Sequence, residues 1–98
     1  MKPFRWSAKK DDQLRAERGI SFEAITVAVD AGGPLDVLEH PNRERHLGQR
    51  LLVVVSDGYV YLVPFVEEEE YLFLKTIIPS RKATRHYLRE SENDDAPG

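Results

Sequence analysis

The chain has no cysteine, which excludes disulfide frameworks and zinc–thiolate centres together. No apolar run approaches the roughly 18–20 residues of a membrane span, and the N-terminus has no signal-peptide core, so a soluble cytoplasmic protein without a membrane role is expected. An excess of base is missing too. Fourteen Lys and Arg face seventeen Asp and Glu, a net charge of −3, where strong nonspecific nucleic-acid binders are usually basic. The acids are local, however: Glu67 to Glu70 supply four, and Glu90, Glu92, Asp94 and Asp95 supply four more. Subtracting these eight from seventeen leaves nine acids against fourteen bases, so the body of the chain is basic. With 98 residues, one small domain over 1–89 is expected, followed by an acidic tail over 90–98 whose composition predicts disorder.

The basic charge concentrates where a strand gives way to a helix. Tyr71 to Ile78 alternates in the period of a strand with two faces, Pro79 ends it, and Ser80 is a good N-cap. Arg81 and Lys82 then occupy the first helical turn, where the backbone dipole already favours carboxylates. Cations beside free backbone N–H groups make an anion site there, and Arg81, Arg85 and Arg89 recur on one helical face along which a phosphate chain fits. The alternative is an ordinary solvated basic helix.

Upstream, Phe4-Arg-Trp6 reads as a short first strand. Ser7 caps a helix over Ala8 to Arg18, and Gly19 supplies the left-handed residue that ends it. Ser21 opens a second helix, with Ile20 and Ile25 at hydrophobic-staple spacing and Phe22, Ile25 and Val29 facing the core. Gly32-Gly33-Pro34 stops it. Leu35 to Glu39 is a strand, His40 to His46 a polar loop, and Leu51 to Val55 an apolar run expected to be buried on both faces. Asp57-Gly58 is a strong hairpin signal. Tyr59 to Val66 returns, with Pro64 indicating an edge or a bulge, and Glu67 to Glu70 reads as a solubilising turn before the last strand. The order β-α-α-β-β-β-β-α predicts an α+β domain with a sheet of about four antiparallel strands.

Two motifs in this order resemble the BrnT family of toxins from type II toxin–antitoxin modules. One is Phe4-x-Trp6, Lys10 and Gly19-Ile-Ser-Phe-Glu-Ala24; the other is Ile77-Ile78 followed by Ser80-Arg81-Lys82-Ala83-Thr84. The resemblance implies a RelE-like fold, a ribonuclease that cuts RNA without metal or other cofactor, and a cognate antitoxin, often of ribbon-helix-helix type. RNA supplies its own nucleophile, the 2′-hydroxyl, so the protein has to orient the attack, stabilise charge on the phosphoryl oxygens and assist the leaving oxygen. Arg81 and Arg85 suit the charge-stabilising role, with Lys82 in support. Lys75, Arg89 and His86 are candidates to touch the RNA, His86 also as an acid or base, and His40 and His46 are loop alternatives. Trp6 is either a core residue or a platform for a stacked base. Thr76 stands where the family commonly has arginine. That departure and the low overall basicity support a second reading, an inactive relative that serves as a protein-binding module.

Overall fold

The computed structural model describes residues 2–40, 42, 44, 45 and 48–89; the expected disordered tail and His46 lie outside them. Strand β1 (Phe4–Arg5) leads into helices α1 (Ala8–Arg18) and α2 (Phe22–Gly32). Both helices start as their capping residues predict. Ser7 Oγ accepts the Lys10 N–H at 3.2 Å, Ser21 Oγ accepts the Ala24 N–H at 3.1 Å, and Gly19 takes the left-handed conformation after α1. Asp11 adds a tie across the corner, because its Oδ1 accepts the Phe22 N–H at 2.8 Å.

Strands β2 (Asp36–Glu39), β3 (Gln49–Ser56), β4 (Tyr59–Glu67), β5 (Leu72–Leu74) and β6 (Ile78–Pro79) follow, then α3 (Arg81–Thr84), which continues as a π-helical segment, Arg85–Arg89. The α+β class is as expected, but among the described residues the sheet has six strands rather than about four. Its order is β1-β5-β4-β3-β2, with β6 also on β4. All pairings are antiparallel except that of β1 with β5, which is parallel and matches Phe4 with Leu72. The β3–β4 hairpin turns at Asp57-Gly58, whose φ values of 54° and 75° are both positive, as a type I′ turn requires.

The last expected strand, Tyr71 to Ile78, is split by a bulge. Phe65 pairs with Leu74 and Leu62 with Ile78, so three steps on β4 are matched by four on its partner. The extra residue reverses the alternation. Leu72 and Leu74 face the core, but so does Ile77, which is fully buried, while Ile78 turns outward. Pro64 sits opposite this irregularity. Its carbonyl accepts the Lys75 N–H at 2.8 Å, and its missing N–H points to the same side, where the ladder is already broken. The Ile77 carbonyl accepts a hydrogen bond from Arg18 Nη1 at 2.5 Å.

Helices α1 and α2 cover one face of the sheet. Leu14, Phe22, Ile25 and Val29 pack there on Leu52, Val54, Val63, Phe65, Leu72, Leu74 and Ile77. Leu51 and Val53 alternate to the opposite face and are also buried, so β3 is covered on both sides as its apolar run predicts. The C-terminal helix packs against β4 on that second face.

Candidate nucleic-acid interface

The helix that carries the cations is fastened by its neutral residues. Ser80 Oγ accepts the Ala83 N–H at 3.0 Å, the expected N-cap. The Ser80 N–H donates to the Val60 carbonyl at 3.0 Å, and the Val60 N–H donates to Thr84 Oγ1 at 2.8 Å. Thr84 Oγ1 in turn donates to the Ser80 carbonyl at 2.7 Å. Ser80 and Thr84 therefore satisfy both backbone groups that β4 presents beyond the end of β6, and the sheet ladder runs directly into the helix. Further along, Tyr87 Oη donates to Asp36 Oδ2 at 3.0 Å, which reaches the far edge strand. Burial, then the hydrogen bond to Asp36 and the charge behind it, raise the Tyr87 pKa above the ordinary tyrosine value.

This attachment divides the helix into two sides. Ala83, Thr84, Tyr87 and Leu88 are half-buried against the sheet, whereas Arg81, Lys82, Arg85 and His86 are exposed. Among the described residues, Arg81, Lys82 and Arg85 have no carboxylate partner and no side-chain hydrogen bond. The helix differs from the expected one in its second half. The Arg85 N–H is shared between the carbonyls of Arg81 and Lys82, and from there the backbone follows π geometry. The fourfold stacking of Arg81, Arg85 and Arg89 expected for a continuous α-helix therefore applies only to the first pair; Arg89 lies at the end of the wider π segment. His86 shares the exposed side with the cations and packs edge-on to Tyr87, ring centroids 4.9 Å apart.

Other expected site residues belong to a second group. Lys75, next to the bulge, holds Nζ 5.6 Å from the centre of the Phe73 ring. Arg5 lies 5.3 Å from the centre of the Tyr71 ring. Trp6 stacks on Phe22 at 5.6 Å and 21°, so one face of its ring is committed to the core. Its remaining surface joins Phe4, Arg5, Tyr71 and Phe73 around a shallow open cavity of about 440 Å³. His40 is engaged locally, its Nδ1 accepting the Asn42 N–H at 3.1 Å.

The acidic turn is not simply a solvated tip. Glu67 accepts Lys2 Nζ at 2.8 Å and Arg50 Nη2 at 2.7 Å, and Lys2 also donates to the Glu68 carbonyl. The hydrogen bond and charge of Lys2, with a further contribution from Arg50, hold the Glu67 carboxyl below the ordinary value. Sequence reasoning missed this hub, the Arg18–Ile77 contact and the Thr84 lock. Of these, only the Ser80–Thr84 spacing carried a local signal, a hydroxyl one turn after an N-cap.

No protein-family model, no curated protein and no solved structure matches the chain. Among the described residues, no helix is long and apolar enough to cross a membrane.

Proposed function

We propose that the protein is a metal-independent endoribonuclease of RelE-like character, acting as the toxin of a BrnT-like toxin–antitoxin module. The observation that carries the reading is the unpaired trio Arg81, Lys82 and Arg85, held on a helix whose first turn is bonded into the sheet through Ser80, Thr84 and Val60. Uncompensated cations on a fixed base suit a developing phosphoryl charge, since little reorganisation is needed when that charge appears. In this reading Arg81 and Arg85 contact the phosphoryl oxygens, Lys82 adds charge, and His86, on the same exposed side, touches the RNA and exchanges a proton with it. A cognate antitoxin would inhibit by covering these cations.

The test is cleavage of a defined RNA in the presence of chelator. Arg81→Ala and Arg85→Ala should each lower cleavage by about 10²-fold or more, the scale of losing one preorganised donor. Neither change should move folding stability by more than about 0.5 kcal/mol, because both side chains are exposed and unpaired. Folded wild-type protein that leaves RNA intact, with ribosomes and without them, would sink the proposal. The second reading, a binding module without catalysis, would then stand, supported by the large exposed apolar side chains Val27 and Leu35.

A further inference from the structure

The α2 side of the molecule has a character opposite to that of the C-terminal helix. Helix α2 buries Phe22, Ile25 and Val29 in the core, yet its outer side is apolar as well. Val27 is 61% exposed and Leu35, just beyond the helix, is 42% exposed. With Ala24, Ala28 and Ala31 they line an open groove of about 820 Å³, whose far wall is the end of β3 and its turn, Val55 to Asp57. Beside the polar strip of Glu23, Thr26 and Asp30, α2 is thus apolar on its groove side as well as its core side, which is more apolar surface than the sheet alone covers.

The charged side chains that line the groove, Glu23 and Asp57, are both acidic, although Arg15 lies in the adjoining cavity, which shares Ala24, Ser56 and Asp57 with it. From residue 19 to residue 42 the chain contains no Lys or Arg, but it contains Glu23, Asp30, Asp36 and Glu39. The last turn of α2 has no basic residue, and Asp30 lies near that end, where the helix dipole favours a cation.

From this apolar floor and the acidic side chains that line it, we infer that the groove is a docking site for a basic amphipathic helix of another protein. A second copy of the chain is disfavoured, because two α2 faces would set Glu23, Asp30 and Asp57 against themselves. The chain's own C-terminal segment is disfavoured for the same reason, since it is acidic. A helical partner fits the floor. Ala24, Ala28 and Ala31 follow one another at i, i+4 and i+7, which allows close approach of a helix axis, while Val27 and Leu35 give it apolar contact. Lysine or arginine on the flanks of that helix would meet Glu23, Asp30 and Asp57. The inference does not depend on the ribonuclease reading and uses a different surface.

The test is an NMR titration of the isotope-labelled full chain with a synthetic peptide of about 18 residues, long enough to span the helix. The peptide places leucine at helical spacing and lysine elsewhere, and a matched peptide carries glutamate in place of lysine. The leucine–lysine peptide should perturb Val27, Ala31 and Leu35, and the glutamate peptide should not. Val27→Gln and Asp30→Lys should each weaken binding by about tenfold, whereas Arg81→Ala and Glu69→Lys should leave it unchanged. Val27, in the groove, and Asp30, on the helix beside it, are both exposed, so unchanged circular dichroism will show that folding is intact. Equal binding of both peptides, perturbation centred on Glu68 to Glu70, or no binding would overturn the inference. So would self-association of the free chain that Val27→Gln abolishes, or release of the chain's own C-terminal segment from the groove.

Discussion

Replacing Thr84 by valine keeps the shape of the side chain and removes its hydroxyl. The Val60 N–H then loses its acceptor at a residue with no exposed surface, and the Ser80 carbonyl loses one of two donors, keeping the Thr84 N–H. An orphaned buried donor costs about 1–3 kcal/mol, and the second loss is milder because that carbonyl stays bonded. A total of about 2 kcal/mol is expected, against a global stability of about 5–10 kcal/mol for a domain of this size. The midpoint of thermal unfolding should fall by about 10 °C. Thr84→Ser keeps the hydroxyl and should cost less than about 1 kcal/mol. Urea unfolding gives the total, and amide exchange at Val60 and Ala83 localises it. Because the same bonds fix the helix under Arg81 and Arg85, the proposed ribonuclease function further requires that RNA cleavage fall at a temperature where the variant is still folded, though no cation is removed. A Thr84→Val protein within about 0.5 kcal/mol of wild type, with unchanged exchange at Val60, would refute the lock.

Glu67 titrates below its ordinary value, so its contribution is fully present above the unfolded-state pKa and is lost as pH falls through the lowered folded value. Carboxyl NMR should show that value rising toward normal in Lys2→Ala, more than in Arg50→Ala, with a stability effect small and screened by salt. Tyr87 has the opposite sign. Its raised folded pKa means stability is intact below the ordinary tyrosine range and declines as pH rises through the folded value. Tyr87→Phe should remove that alkaline slope at a neutral-pH cost of about 0.5 kcal/mol, read from unfolding at several pH values. Trp6→Ala should destabilise by about 2 kcal/mol through loss of its stacking on Phe22, and Trp6→Phe by markedly less. If Trp6→Ala instead leaves stability intact while weakening RNA binding, the ring is a base platform.

Features written in adjacent residues were the ones legible in the sequence. Ser7, Ser21 and Ser80 are caps and Asp57-Gly58 is a hairpin turn because each is satisfied within a few residues of itself. The stripe of Phe22, Ile25 and Val29 and the doubly buried run of β3 follow from periodicity alone. The bulge was hidden because Tyr71 to Ile78 alternates well enough to pass for one strand, and nothing local shows that Ile77 outcompetes Thr76 for the core. Pro64 held the clue, since a proline inside a paired strand needs a break opposite it. The sixth strand and the parallel pairing of β1 are long-range choices to which two-residue segments leave almost no trace. Within the site, the cations were visible from composition, but their division from Ser80 and Thr84 required the sheet. The change to π geometry after Thr84 was not visible, as Arg85 to Arg89 has no feature that disfavours an α-helix.

The parallel seam between β1 and β5 has a consequence for the order in which the chain is built. Phe4 finds its partner at Leu72, and Lys2 finds Glu67 at a separation of 65 positions. A chain emerging from the ribosome thus exposes β1 long before its mate exists, and α1 and α2 must wait for β3 to β5 before their apolar faces have a sheet to cover. The β3–β4 hairpin, closed by its own tight turn, is the first piece of the sheet that can form from neighbouring residues. Strand β1 therefore has to wait for β5 before it can pair, whereas β3 and β4 need only each other.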